Sequence, residues 1–301
     1  MQGILIVNKP KGMTSHDVVS YIRKQLGTRQ VGHTGTLDPD AEGVLPILVG
    51  RATKISELLT ADEKSYTARV QLGVVTDTYD SSGSVTQERP VSVTEDEVRE
   101  ALEAFLGVQK QIPPMYSAIK LGGKKLYQLA RQGVEVERPA REIEIRKLEC
   151  YDFDLENHQF SLLVDCSKGT YIRSLCHDIG QKLGCGACMA GLVRTRSGRF
   201  TLSQARSLEE IAEAAAQGGS NGLLIPLDEA LAAYPAIRVS EANAGKIRNG
   251  LRLRTQQLGV SQVAEGDFFR LYDAEGLLCL GSVILDEAGT PVMKLEKTFF
   301  N

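Results

Sequence analysis

Between His33 and Pro46 the chain reads His-Thr-Gly-Thr-Leu-Asp-Pro-Asp-Ala-Glu-Gly-Val-Leu-Pro. This composition constrains the backbone more than any other stretch of the sequence. Gly32, Gly35 and Gly43 permit tight paths that a side chain would resist. Pro39 fixes its own φ and pushes Asp38 towards an extended conformation. The segment is therefore stiff at one carboxylate and permissive around it, which suits a side chain that has to be aimed. A plain Asp/Gly/Pro turn would share much of this composition. Two metal readings fail on spacing. Asp38, Asp40, Glu42 and Gly43 imitate the start of a calcium loop, but the twelfth position is Val49, where a bidentate Glu is required. An aspartyl-phosphate site would follow a buried strand, whereas Thr28 to Thr36 is polar and Gly-rich.

Periodicity organises the rest of the chain. Gly3-Ile-Leu-Ile-Val7 is a short apolar strand. Thr14 can cap a helix that carries Asp17 in its first turn, repeats Val18, Ile22 and Leu26, and stops at Gly27. Ile47 to Leu59 reads as a buried helix. Ser65 to Leu72 alternates as a half-buried strand, and Asp77 to Gly83 is a polar turn. Thr94 and Glu97 form a capping box for a helix that runs on to Gly107. Strands follow at Glu142–Arg146 and around Phe160, Leu162 and Val164. A helix from Thr170 to Leu183 then stops at Gly184. Glu209 to Ala216 is a further helix, and Gly218-Gly-Ser-Asn-Gly222 reads as flexible. Beyond it, segments 268–272, 277–280 and 292–295 suit strands of a small barrel. The fold class is α+β: a mixed, largely antiparallel sheet with flanking helices, plus a small C-terminal β-barrel.

The formal net charge of −3 argues against a uniformly basic nucleic-acid binder, so any such surface has to be local. Ser161 to Arg206 holds seven basic residues and two acidic ones, Lys110 to Lys147 nine and four, and Val75 to Phe105 two and eight. The six cysteines form no disulfide framework. Cys185-Gly-Ala-Cys188 has zinc-like spacing without a second pair, so no metal is expected. No secretory signal or membrane span is expected, which points to a cytoplasmic protein.

Several motifs resemble those of one family. His33 to Pro46 resembles the catalytic loop of the TruB family of tRNA pseudouridine-55 synthases. Asn8-Lys-Pro-Lys-Gly-Met-Thr-Ser15, Lys64-Ser-Tyr66, Ile112-Pro-Pro-Met-Tyr-Ser-Ala118 and Cys166-Ser-Lys-Gly-Thr-Tyr-Ile-Arg173 resemble its other motifs, in the same order. The resemblance implies isomerisation of uridine 55 in the TΨC arm of tRNA, with Asp38 as nucleophile and Arg173 as its ionic partner. It places Tyr66 against the target uracil, where ring stacking contributes ~1–3 kcal/mol. Tyr171 and Leu192 match other pocket positions, and His33 a histidine that contacts the RNA. Lys120-Leu-Gly-Gly-Lys-Lys125 resembles a mobile flap within an insertion at about 110–142.

Lys9, Lys124, Lys125, Arg194 and Arg196 are candidates for the RNA backbone, and Arg199 extends that strip. The reaction breaks a C–N glycosidic bond and rejoins the base through carbon without redox change, so no cofactor is expected. Residues 1–235 form the expected catalytic domain and 236–301 a PUA-like RNA-binding domain. A monomer with no obligatory protein partner is expected. A guide-RNA-dependent catalytic subunit, an RNA-binding or RNA-folding protein, and a metal-dependent phosphatase using Asp38 and Asp40 remain as alternatives.

Overall fold

The structure is a computed structural model that describes residues 1–60 and 63–300. Its main sheet has nine strands. Seven lie side by side in the order Gly3–Lys9, Glu42–Val49, Ala187–Ser197, Lys64–Leu72, Gln159–Cys166, Arg141–Asp154 and Gly107–Gln111. Val31–His33 and Phe200–Thr201 add short edges to this path. Every neighbouring pair is antiparallel except one, where Val193 and Arg194 run parallel to Glu42 and Gly43. The expected mixed, largely antiparallel sheet is what the chain forms.

Helices cover one face. Val18, Val19 and Ile22 of Ser15–Leu26, Val98 and Leu102 of Glu95–Glu103, and Ile172, Leu175, Cys176 and Ile179 of Ile172–Lys182 enter one core with sheet residues such as Leu5, Ile47, Val70 and Leu162. Thr14 and Asp17 close a full capping box, as do Thr94 and Glu97. The Thr94-capped helix ends earlier than expected, with Ala104 as C-cap, because Gly107 opens the next strand.

A second core lies on the opposite face, where Ile4, Ile6, Val44 and Leu48 meet Phe200, Leu227, Leu231, Leu280 and Phe299. The first two strands are thus buried on both sides. Two-sided burial produces a continuous apolar run with no alternation. This explains the misreading at Ile47–Leu59: that stretch is the end of strand Glu42–Val49, a 3₁₀ turn Gly50–Ile55 and a short helix Ser56–Thr60.

The segment expected to be flexible runs into a backbone pairing with the first strand. It forms a 3₁₀ turn, Ser220–Leu223, and Ile225 exchanges two backbone hydrogen bonds with Ile4 at 2.8 and 2.9 Å. The C-terminal strands form a five-stranded sheet in the order Ala236–Arg238, Phe268–Tyr272, Leu277–Leu285, Pro291–Thr298, Leu253–Arg254. Among the described residues its pairing runs as an open path where a small barrel was expected. This sheet joins the main sheet through the second core, Arg51 donates to the Phe299 carbonyl, and Lys297 pairs with Glu57 at 3.1 Å.

The parallel pairing of the main sheet depends on Gly43. Its φ is +102°, and a Cβ built there would lie 2.3 Å from the Arg194 carbonyl oxygen. Gly43→Ala therefore combines backbone strain with a main-chain clash, and we expect destabilisation of about 3 kcal/mol or more. Thermal or urea unfolding measures it, and a loss below about 1 kcal/mol would mean that the pairing relaxes easily.

Candidate active site

The Asp38 loop leaves the short strand Val31–His33 and re-enters the sheet at Glu42. Its main chain is tied down on both sides of the carboxylate. Before it, Ser15 Oγ donates to the Leu37 carbonyl at 3.1 Å and accepts from the Leu37 amide at 2.9 Å. After it, the Pro39 carbonyl accepts from the Gly12 amide at 2.9 Å and from Lys9 Nζ at 3.0 Å. Lys9 also donates to the carbonyls of Pro10 and Met13. It is fully buried, and burial holds its amine below the ordinary lysine range. That corrects one expectation: Lys9 braces the loop from inside and is not available to an RNA backbone.

The Asp38 side chain faces Arg173, which sits in the first turn of Ile172–Lys182. Oδ2 lies 2.9 Å from Nε and Oδ1 accepts from Nη2 at 3.4 Å. The guanidinium has 6% exposure and the carboxylate 39%. The remaining donors of Arg173 are spent on Tyr116 O at 2.8 Å and Thr78 O at 3.2 Å, with Asp80 Oδ2 at 3.5 Å from Nη1. Asp80 is itself held by Thr78 Oγ1 at 2.8 Å and Ser82 Oγ at 2.6 Å.

Burial pushes the Asp38 carboxyl above the ordinary range; Arg173 opposes that shift and Asp80 adds to it. The guanidinium thus offsets only part of the desolvation, which is less than full ionic compensation. Asp40 and Glu42, the local competitors for Asp38, are exposed.

Tyr66 lies buried on strand Lys64–Leu72, opposite Arg194 in the register. Leu192 is buried two residues back on the same strand as Arg194. Tyr171 is the N-cap residue of the Arg173 helix. Burial raises the phenols of Tyr66 and Tyr171, and the charge on Asp38 adds to both shifts. His33 is half-buried: its Nδ1 accepts from the Gly35 amide at 3.2 Å, and its ring meets His16 edge-on at 5.6 Å. Burial lowers its pKa below the usual imidazole range.

Arg194 is a second correction. It is 1% exposed, and its guanidinium donates to Val44 O at 2.7 Å and Gly35 O at 3.2 Å, lacing the catalytic loop to the sheet. Arg196 is partly exposed but engaged with Ser65 Oγ at 2.9 Å and with Asp165 at 3.8 Å. Lys124 and Lys125 stand on a two-stranded hairpin with Lys120 and Leu121. The insertion carrying them leaves and rejoins the sheet where Gln111 pairs with Arg141. Sequence reasoning did not find Asp80, which it placed in a polar turn. The only signal there was a carboxylate flanked by small hydroxyl residues.

No group of three or more His, Cys, Asp or Glu residues able to hold a metal occurs among the described residues, and all six cysteines are free. No described helix is long and apolar enough to cross a membrane.

Residues 23–172 match the TruB family pseudouridylate synthase N-terminal domain, and residues 173–232 the tRNA pseudouridylate synthase B C-terminal domain. The chain belongs to the TruB family of pseudouridylate synthases. Among its curated relatives, a protein of Bacillus cereus (strain ATCC 10987 / NRS 248) is 48% identical over 262 residues, 85% of each chain. Another, from Alkaliphilus oremlandii (strain OhILAs), is 49% identical over 258 residues, 86% of this chain and 85% of the relative. Both are named tRNA pseudouridine synthase B. A Cbf5-Nop10-Gar1 complex contains a chain of the same fold, with TM-score 0.75 and 26% identity over 99% of this chain and 85% of that one.

Proposed function

We propose that this chain isomerises uridine 55 in the TΨC arm of tRNA to pseudouridine, with Asp38 as the nucleophile. One observation carries the reading: the single braced carboxylate of the loop meets a buried guanidinium through two nitrogens. Curated relatives named tRNA pseudouridine synthase B supply the substrate class.

The chemistry follows from the geometry. A held carboxylate can bond to C1′ as the C1′–N1 bond breaks, or add to C6 with the glycosidic bond still in place, and either ester-like bond is released once C5 has joined C1′ and given up its proton. Arg173 opposes the upward drift of the Asp38 pKa and so increases the ionised, nucleophilic fraction. The target base has to leave its loop to reach the site, which costs a few kcal/mol. Tyr66, Tyr171 and Leu192 would receive the uracil, with His33 at the rim. The cycle is redox-neutral and needs no cofactor. The five-stranded C-terminal sheet is assigned here as a PUA-like RNA-binding domain over 236–301, and the enzyme as a cytoplasmic monomer. Incubation with an unmodified tRNA transcript, without protein partners, followed by pseudouridine mapping, tests the function. The fold shared with the Cbf5 complexes favours, as second reading, a subunit needing partner proteins and a guide RNA. Modification at uridine 55 by the chain alone rules it out.

Binding should be strongly salt-dependent despite the net charge of −3, because the basic residues are clustered. The slope of log affinity against log salt grows by somewhat less than one per phosphate neutralised. Changing Lys124 and Lys125 together to Ala should lower that slope by about one to two, without altering which uridine is modified. A filter-binding titration from low to physiological salt measures it. A change below about twofold in the parent would remove the electrostatic patch from the proposal.

A further inference from the structure

The helix carrying Arg173 begins differently from three of the other helices. Thr14, Thr94 and Ser207 each close a capping box with the third residue of their own helix. Tyr171, the N-cap of Ile172–Lys182, makes no such side-chain bond, and the third residue is Ser174. An uncapped helix start frays, because its first amides and its entry angle are undetermined.

The strand Gly107–Gln111 grips the N-cap residue's own backbone instead. Gln111 ends Gly107–Gln111 and is 5% exposed. Its Oε1 accepts from the Tyr171 amide at 2.8 Å, and its Nε2 donates to the Tyr171 carbonyl at 3.0 Å. A backbone N–H only donates and a carbonyl only accepts, so the amide orientation is fixed by its partners. The next residue continues the grip, as Ile112 O accepts from Ser174 Oγ at 3.0 Å. Tyr116 O then accepts from Arg173 itself at 2.8 Å. Three of the first four residues of the helix start are thus fastened by the segment 111–116.

We propose that Gln111 is a positioning residue, capping the Arg173 helix from outside so that Tyr171 and Arg173 keep their aim at Asp38. The proposal rests on the reading of Asp38 and Arg173 as reacting machinery. A side chain that merely satisfied buried backbone groups would affect stability alone. A positioning side chain also controls how strongly Arg173 opposes the desolvation of Asp38, whose other charged neighbours are Asp80, Lys9 and Asp40.

The test uses Gln111→Met, which keeps the volume and removes both hydrogen bonds, with Gln111→Glu as second variant should the first not fold. In the full chain, the Asp38 carboxyl is titrated by carbon NMR after labelling aspartate, its signal assigned with Asp38→Asn. It should titrate at higher pH in the variant than in the parent. Single-turnover isomerisation of a tRNA transcript should fall on the order of ten- to a hundredfold, the scale of a sub-ångström to 1 Å misplacement. RNA affinity should stay within about threefold, since no RNA-facing group is lost. An unshifted Asp38 titration, with turnover within about twofold of the parent, would overturn the proposal. A parent that binds tRNA but never modifies it, alongside a shifted titration in the variant, leaves the cap standing and removes the proposed function.

Discussion

Asp38→Asn abolishes isomerisation, to below about a hundredth of parental turnover, while tRNA affinity stays within about threefold. The substitution removes a negative charge and one nucleophilic oxygen but barely changes shape. The loop that presents the side chain is held through the main chain of Leu37 and Pro39, by Ser15, Gly12 and Lys9, and none of those bonds involves the carboxylate. The amide is therefore presented where the acid was, and what is lost is chemistry. Asp40→Asn is the control, since Asp40 is exposed. A single-turnover assay with labelled transcript decides: residual turnover at or above about a hundredth of the parent would move the nucleophile to another residue.

Arg173→Met is expected to be nearly as damaging, and its pH profile carries the diagnosis. Burial already raises the Asp38 pKa, and Arg173 is the principal influence pulling it down. Without the guanidinium the pKa rises further, so the acidic limb of activity moves to higher pH. The variant also leaves the carbonyls of Thr78 and Tyr116 without their donor, at about 1–3 kcal/mol for each buried group left unsatisfied. Asp38 and Asp80 would then lose the cation that faces them both. Arg173→Lys keeps a charge but loses the planar fork that reaches the carboxylate through Nε and Nη2, so rescue should be partial. Near-parental turnover with an unmoved acidic limb would dissolve the pair as a functional unit.

What the sequence allowed to be read, and what it hid, follows local physics. Helix starts with Thr and an acid three residues on were legible because the whole device lies within four residues. Strand Lys64–Leu72 was legible because it alternates. The central strand Ala187–Ser197 was not, and it is the one that carries Leu192 and Arg194. Register shifts between Met189 and Gly191 and between Arg194 and Arg196 break its two-residue period, and its small residues give no apolar signature. Lys9 and Arg194 were misplaced because lysine and arginine are rarely buried fully. Their partners are main-chain carbonyls, those of Pro10, Met13 and Pro39 for Lys9 and of Gly35 and Val44 for Arg194, which no motif encodes. Asp38 and Arg173 came through the family's motifs, whereas Asp80 and the outside cap from Gln111 needed three dimensions.

The shared second core sets a limit on how this enzyme can be taken apart. Leu280 and Phe299 from the C-terminal sheet pack with Ile4, Ile6, Val44 and Leu48 of the catalytic sheet. A chimera made by cutting at residue 236 and attaching a foreign RNA-binding module would leave that apolar face open to water. Such an exchange has to carry the Leu280 and Phe299 contacts with it, or redesign the back of the first two strands as a polar surface. The two sheets are better regarded, for grafting purposes, as one unit of inheritance.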